Sequence, residues 1–239
     1  MALIESLAGV ERANAAGLVW RFGPTVGDLV VLVETDELQW QRTLEDPRRP
    51  FFHRATDMTL PPGSVFKALT SVALLESRRI DPDERMFCRG YLDRPDRFRC
   101  YIYRHYGQGH GDVNLSDALC QSCNVYFYDA ARHMGDDPVD SARHLGGWAK
   151  RFGFGSPTGI DLPGEEEGNL PIPDKNAKGW FPGETLGMAI GQARLTVTPL
   201  QVARLMAAVA NDGYLVTPHV VDGGGPTVVG EDTLDLSSR

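Results

Sequence analysis

Apolar residues recur every three or four positions along much of the chain, which is the spacing of helices with one buried face. The clearest run follows Thr198-Pro199, a pair typical of a helix start, and closes at Asn211-Asp212-Gly213. By the same criteria, the pattern predicts helices over residues 1–16, 64–77, 116–121, 125–134, 138–153 and 199–210.

Strand-like runs are fewer and shorter. Residues 28–34 and 37–43 are predicted as a pair of strands around a tight turn, and residues 214–217 as a further strand. A polar, arginine-rich segment at 81–112 shows little periodicity, and 155–184 is rich in glycine and proline, which predicts a surface loop. Helices therefore outweigh strands, and the chain is predicted to have an α+β fold.

Composition narrows the function classes. The 239 residues carry a formal net charge of −8, whereas a nucleic-acid-binding surface would be basic, so no nucleic-acid partner is expected. No apolar run reaches the length of a membrane span, and the first 20 residues lack the basic start and apolar block of a secretory signal. The composition, 42% hydrophobic, is that of a globular chain.

Ser64 and Lys67 lie three residues apart at the start of a predicted helix, so their side chains share one face. A serine hydroxyl becomes a useful nucleophile when a neighbour takes its proton, and a lysine does so when burial or positive charge lowers its pKa. Val65, Leu69, Val72 and Leu75 are predicted to bury this helix. Taken alone, the pair also fits a serine cap with a solvated lysine.

Three further motifs follow in order. After Pro61-Pro62-Gly63-Ser64-Val65-Phe66-Lys67 come Ser122-Cys123-Asn124 at a helix junction, Gly191-Gln192, and Thr198-Pro199-Leu200-Gln201-Val202-Ala203. Together they resemble the transpeptidase domain of class B penicillin-binding proteins, most closely the elongation-type members that build the lateral wall of rod-shaped bacteria. The resemblance runs from about residue 27 to residue 221.

This resemblance implies a fold like that of serine β-lactamases and D,D-transpeptidases. It implies that Ser64, with Lys67 as its base, attacks peptidoglycan stem peptides ending in D-Ala-D-Ala, and that β-lactams acylate the same serine. Ser122 and Asn124 would relay protons and bind the substrate amide. The family needs no cofactor for acyl transfer, faces the periplasm from the inner membrane, and works with other cell-wall elongation proteins.

The family's third motif, Lys-Thr/Ser-Gly, does not occur, since lysine is present only at positions 67, 150, 175 and 178. The expected organisation is an N-terminal linker or helix remnant (1–20), a partial transpeptidase domain with the later strands and closing helix absent (21–221) and a loosely ordered tail (222–239). A truncated fragment of impaired activity is the expectation. The alternatives are a non-catalytic scaffold, or a β-lactamase or D,D-carboxypeptidase that passes the acyl group to water.

The four cysteines lie within 36 residues, at positions 88, 100, 120 and 123. Such clustering fits a metal site, a Cys88–Cys100 disulfide or buried thiols, and the spacing is not that of a zinc finger. Some elongation-type members hold a zinc ion beside the active site, and the resemblance implies Cys88, Cys100, His110 and Cys123 as its ligands here. Cys120, predicted to pack within its helix, and His105 are the rival ligands.

Overall fold

The computed structural model describes residues 10–13, 17–20, 37–175 and 177–220. The chain forms two compact units, Met1–Met58 and Thr59–Arg239. The predicted strand at 28–34 and the predicted tail at 222–239 lie outside the described residues.

The first unit contains a β-hairpin. Strand β1 (Val10–Ala13) pairs antiparallel with β2 (Gly17–Trp20), with Val10 opposite Trp20. The helix predicted over 1–16 is therefore wrong at its end. The run Gly17-Leu18-Val19-Trp20 supplies a partner strand, because its branched and aromatic side chains favour sheets.

The same unit contains one helix among its described residues, α1 (Glu37–Leu44). The strand predicted over 37–43 is therefore wrong. The sequence Glu-Leu-Gln-Trp-Gln-Arg-Thr-Leu consists largely of strong helix formers, and in this stretch their backbone preference prevails over the apparent alternation of polar and apolar positions.

In the second unit, helices predominate among the described residues. A 3₁₀ turn at Gly63–Phe66 continues directly into α2 (Lys67–Ser77), and these two elements together are called the nucleophile helix. The elements that follow are β3 (Met86–Cys88), α3 (Tyr101–Tyr106), β4 (Gly111–Val113), α4 (Leu115–Cys120), α5 (Asn124–His133), α6 (Pro138–Arg151), α7 (Pro182–Ala189) and α8 (Pro199–Ala210). The helices predicted from the sequence at α2, α4, α5, α6 and α8 are confirmed.

Residues 81–112, called the cysteine segment, contain short elements that the sequence did not predict. Strands β3 and β4 pair antiparallel, with Met86 opposite Val113 and Cys88 opposite Gly111. Helix α3 buries none of its side chains. Strands of three residues are too short to show a periodic pattern, which explains why this segment was expected to be irregular.

Helices α2, α5, α6, α7 and α8 contribute to one apolar core in the second unit. Its fully buried members include Phe66, Leu69, Leu74, Phe127, Leu145, Met188 and Leu205. Val65 and Leu75, predicted to be buried, are instead 43% and 47% exposed. The 3₁₀ turn rotates the start of the helix, so that Phe66 and Lys67 point inward in place of Val65.

The strand predicted at 214–217 does not form, apart from a single β-bridge at Val216. The carbonyl of Val216 accepts a hydrogen bond of 2.7 Å from Nε of Arg204 on α8. This contact links the segment to α8 through a side chain.

Candidate active site

Ser64 lies exposed in the 3₁₀ turn, held by a close backbone approach. Gly63 adopts φ 61°, and its N–H donates to the carbonyl of Gly191 at 2.8 Å. A Cβ added at Gly191 would lie 2.2 Å from the carbonyl oxygen of Gly63, so a side chain there would push the two turns apart. The glycine pair thus fixes the turn that presents Ser64.

Lys67 lies directly below, only 1% exposed, and its ammonium group makes three hydrogen bonds. Nζ donates to the carbonyl of Ser122 at 2.8 Å, to Oγ of Ser122 at 3.0 Å and to Oδ1 of Asn124 at 2.7 Å. Oγ of Ser122 in turn donates to Oγ of Ser64 at 3.0 Å. A continuous hydrogen-bonded path therefore joins the lysine, Ser122 and the candidate nucleophile.

Burial changes the chemistry of this lysine. It lowers the pKa of Lys67 from 10.5 to about 8, because the charged form is poorly solvated, while Cys123 and Cys100 act in the opposite direction. Nζ also lies 5.4 Å from the centre of the Phe127 ring. The neutral form, which can accept a proton, is therefore far more populated near neutral pH than in an exposed lysine.

The loop before α5 positions Ser122 and Asn124. Ser122 adopts the left-handed conformation, with φ 54°, which turns its side chain toward the nucleophile helix. Cys123 is the N-cap of α5, and its Sγ accepts a hydrogen bond from the N–H of Tyr126. Nδ2 of Asn124 donates to the carbonyl of Arg99 at 3.2 Å, which ties this loop to the cysteine segment.

An open cleft of about 940 Å³ surrounds Ser64. Ser122 and Asn124 form one part of its wall, and Gln192 lies near the glycine pair. Helix α3 contributes Tyr101 and Tyr106, whose side chains are 70% and 72% exposed. The site can therefore receive an extended molecule with its reacting end at Ser64.

Four residues of the predicted metal site converge beside this cleft. Sγ of Cys100 lies 3.7 Å from Sγ of Cys88 and 3.8 Å from Sγ of Cys123, and Nδ1 of His110 lies 3.6 Å from Sγ of Cys88. The four ligand atoms all lie within 4.8 Å of one another. The cysteines are free thiols, and a disulfide would require about 2.05 Å between sulfurs.

The thiols in this cluster share protons unequally. Hydrogen bonds from Cys100 and, to a smaller extent, from Cys123 lower the pKa of Cys88. The pKa of Cys123 is raised, because its thiol donates to Cys100 and Cys88 and is buried. The hydrogen bonds within the cluster therefore act in opposite directions on the pKa values of Cys88 and Cys123.

The structure brings the predicted site residues into two adjoining groups. One contains Ser64, Lys67, Ser122 and Asn124, and the other Cys88, Cys100, His110 and Cys123. Their chemical roles stay predictions. Cys120 lies outside the cluster and is exposed, not packed in its helix as predicted, and His105 stacks on Tyr101. Arg99 lines the cleft and its carbonyl accepts from Asn124, but it was not among the predicted site residues, although it lies next to Cys100.

Comparison with known proteins decides the family. Residues 24–230 match the penicillin binding protein transpeptidase domain, and this stretch is most of the chain. The chain belongs to this family. The resemblance inferred from the Ser64 and Ser122 motifs is confirmed, and so is membership of its elongation-type branch, to which the relatives below belong.

Two relatives carry the name peptidoglycan D,D-transpeptidase MrdA. The protein from Haemophilus influenzae is 37% identical over 189 residues, which cover 76% of this chain and 28% of the relative. The protein from Acinetobacter baumannii is 31% identical over 236 residues, which cover 91% of this chain and 34% of the relative. This penicillin-binding protein chain thus spans about a third of the length of the relatives it matches.

A solved structure supports the fold. The chain superimposes with a TM-score of 0.70 and 26% identity on a penicillin-binding protein (PBP2) in complex with MreC from Helicobacter pylori, covering 89% of this chain and 41% of that one. The predicted α+β, D,D-transpeptidase-like fold is confirmed. In the described part of this penicillin-binding protein, no helix is both long and apolar enough to cross a bilayer.

Proposed function

We propose that the chain performs the acylation chemistry of peptidoglycan D,D-transpeptidation, with Ser64 as the nucleophile. The observation that carries this proposal is the hydrogen-bonded path from the buried Lys67 through Ser122 to Ser64. Such a path gives the serine a proton acceptor, which acyl transfer requires. The names of the MrdA relatives support the same reaction and peptidoglycan as its substrate.

In the structure the hydrogen bonds run from Lys67 through Ser122 to Ser64, and in the proposed first step the protons move in the opposite direction. When Lys67 is neutral, Ser64 donates its proton to Ser122, and Ser122 donates its own to Nζ. Oγ of Ser64 then bonds to the carbonyl carbon of the penultimate D-Ala. The N–H of Ser64, in the first turn of its helix, has no partner within that helix and would stabilise the developing oxyanion.

The second step releases the terminal D-Ala. The bond between the carbonyl carbon and the amide nitrogen breaks, and the proton held by Lys67 passes through Ser122 to that nitrogen. Asn124, which contacts Lys67 through Oδ1, would orient the peptide amide. An amine of a second stem peptide then bonds to the acyl carbon, the bond from that carbon to Oγ of Ser64 breaks, and the proton that the amine loses passes to Oγ, which completes the cross-link. A β-lactam acylates Ser64 by the same attack, after which its ring C–N bond breaks and the nitrogen, protonated through Ser122, stays attached to the acyl group.

Covalent labelling tests this proposal. A fluorescent penicillin should attach to Ser64, as located by peptide mass spectrometry, and Ser64→Ala should abolish the label. Ser116→Ala removes an exposed hydroxyl from α4 and serves as the matched control, with labelling as in the wild type. A label on another residue would contradict the assignment. Rapid turnover of a chromogenic cephalosporin would favour a hydrolase, and a folded but unlabelled chain would favour a scaffold.

A structural zinc ion is the second part of the proposal. Tetrahedral zinc with bonds of about 2.3 Å to sulfur separates its sulfurs by about 3.8 Å, and the distances of 3.7 and 3.8 Å support this fit. Cys88, Cys100, His110 and Cys123 would hold the ion. When bound, it supplies a cross-link between the cysteine segment and the loop of Ser122 and Asn124. The acyl-transfer steps are carried out by the protein's own side chains.

Partners and location follow from the family. The structure of the Helicobacter PBP2 with MreC supports the proposal that the whole protein contacts other cell-wall proteins. Its substrate lies outside the cytoplasmic membrane in bacteria, so we place the site at the periplasmic face of the inner membrane. Labelling of intact cells by a β-lactam that does not cross the inner membrane would test this location.

A further inference from the structure

The charge of the cleft is opposite to that of the chain. The chain carries a net charge of −8, yet Arg99 and Arg104 line the cleft that contains Ser64. Among the described residues that line it, neither aspartate nor glutamate occurs. Lys67 adds a further basic group directly below. The local field therefore favours an anionic occupant.

Neither of these guanidinium groups forms an ion pair with the described residues. Nε of Arg99 is buried without a hydrogen-bond partner there, and Arg104 is exposed on α3. Elsewhere on the surface, arginines are paired with carboxylates, as in Arg79 with Asp136 and Arg85 with Asp117. The charge that Arg99 and Arg104 bring to the cleft wall is therefore not neutralised by a described carboxylate, and an incoming carboxylate would neutralise it.

The shape of the cleft indicates which part of a substrate reaches these arginines. A D-Ala-D-Ala end is small beside a cleft of about 940 Å³, which leaves room for the residues before it. Arg104 projects from α3, the element that also carries the exposed Tyr101 and Tyr106. The positive charge of Arg104 also acts on Tyr128, another residue of the cleft wall. Burial raises the pKa of Tyr128 to about 12, and the charge of Arg104 partly counteracts that rise.

We propose that Arg99 and Arg104 form a carboxylate-binding subsite that selects acyl donors with an anionic side chain close to the reacting carbonyl. Guanidinium groups present paired N–H donors that match the two oxygens of a carboxylate. The inference rests on the proposed acyl transfer at Ser64. It assigns these arginines to a side-chain carboxylate and not to the carboxylate at the substrate's C-terminus.

A pair of β-lactams tests the subsite. Benzylpenicillin and carbenicillin differ by one carboxylate on the side chain, so the ratio of their acylation rates at Ser64 reports on that group alone. In Arg104→Gln, we expect the carbenicillin-to-benzylpenicillin ratio to fall by about fivefold, as for an exposed ion pair, and in Arg104→Glu to fall further.

Arg94→Gln is the matched control. It removes one positive charge from the same segment, but Arg94 is paired with Asp96 and does not line the cleft. Its ratio should equal that of the wild type, which separates the subsite from the effect of net charge. An identical ratio in wild type, Arg94→Gln and Arg104→Gln would overturn the proposal.

Equilibrium binding provides a test that does not need acylation. Two fluorescein-labelled peptides, Glu-D-Ala-D-Ala and Gln-D-Ala-D-Ala, differ only in the side-chain carboxylate. We expect the Glu peptide to bind about fivefold more tightly at low salt, with the preference lost in Arg104→Gln and reduced at high salt. Equal affinities at low salt would overturn the subsite. A preference for Glu in a chain whose Ser64 never reacts would overturn the acyl transfer and leave the subsite standing.

Discussion

The nucleophile helix and the cysteine segment both border the cleft, but their interiors differ. The helix buries Phe66, Leu69 and Leu74 against the apolar core. The cysteine segment has few large buried side chains, namely Leu92 and the thiols Cys88 and Cys100. Hydrophobic burial therefore orders the helix, whereas the segment depends on short strands and on its cluster of sulfurs.

The difference corresponds to what each region must provide. A lysine that acts as a base needs low solvation, and the apolar core around the nucleophile helix provides it. Ser122 and Asn124 instead need a fixed backbone, and Cys123 between them is tied to Cys100. The loop of Ser122 and Asn124 joins the two regions, since Lys67 donates to both residues and Nδ2 of Asn124 donates to the carbonyl of Arg99 in the cysteine segment.

The strongest test breaks the cysteine segment. Cys100→Ser should lose the bound zinc, measured as metal per chain, because the oxygen is a poorer ligand than a thiolate. Structural zinc contributes on the order of 10 kcal/mol in small modules, so the segment should open and become sensitive to protease. Penicillin acylation should fall by about 10- to 100-fold as Ser122 and Asn124 lose their support.

Cys120→Ser is the control for that experiment. Cys120 is exposed on α4 and lies outside the cluster, so its removal should leave metal content, protease resistance and acylation as in the wild type. Full acylation by a metal-free chain would show that the cluster does not position the catalytic loop.

The next test disrupts the apolar packing of the nucleophile helix. Leu69→Ala should lower the free energy of unfolding by about 2–5 kcal/mol, because it leaves a cavity in a fully buried site. Leu75→Ala, on the same helix but 47% exposed, should cost less than about 1 kcal/mol. Urea denaturation measures both. Comparable losses from the two variants would contradict the account of which face is buried.

The sequence predicted helices α2, α4, α5, α6 and α8, and the residues that it named as site candidates lie together beside the cleft, but it did not predict α7. Helices such as α6 and α8 carry caps and a periodic apolar face, so local residues specify them. Strands β3 and β4 depend on pairing between residues 86–88 and 111–113, which no local pattern reveals. The contacts of Lys67 with Ser122 and Asn124 join residues 55 and 57 positions apart, so the expectation that these residues lie close together came from the family resemblance and not from a local pattern.

A smaller effect concerns pH at the junction of the two regions. If neutral Lys67 is the base, acylation should rise about tenfold per pH unit below about 8 and level off above it. Stability should change as well, since a folded pKa of about 8 lies below the ordinary 10.5. The unfolded chain then binds more protons between these values, so the cost of burying this lysine falls and the free energy of unfolding rises as pH increases through that window.

Stopped-flow acylation across this pH range measures the rate, and urea denaturation of wild type and Lys67→Met measures the stability difference. The variant lacks the titrating group, so the rise in stability between pH 8 and pH 10.5 should be smaller in it. A rate that is flat from about pH 6 to pH 8 would rule out this lysine as the base that limits acylation.

The smallest expected effects on the free energy of unfolding come from substitutions at the C-terminal ends of two helices, one in each region. The last turn of the nucleophile helix closes on Arg78 with φ 55°, whereas α3 in the cysteine segment closes on Gly107 with φ 68°. Left-handed backbone is strained for residues with a Cβ and free for glycine. Arg78→Gly should therefore raise the free energy of unfolding by about 0.5–1 kcal/mol, and Gly107→Ala should lower it by about the same amount.

Side-chain contacts should contribute little to the effects of the substitutions at Arg78 and Gly107. Arg78 is exposed, and a Cβ at Gly107 would meet nothing within 4 Å, so backbone strain is the dominant difference at both positions. Thermal and urea unfolding of the two variants should move in opposite directions, with penicillin acylation unchanged in Arg78→Gly. If Gly107→Ala instead released the metal, the end of α3 would be part of what holds the cluster together, and the cysteine segment would depend on its backbone turns as much as on its thiols.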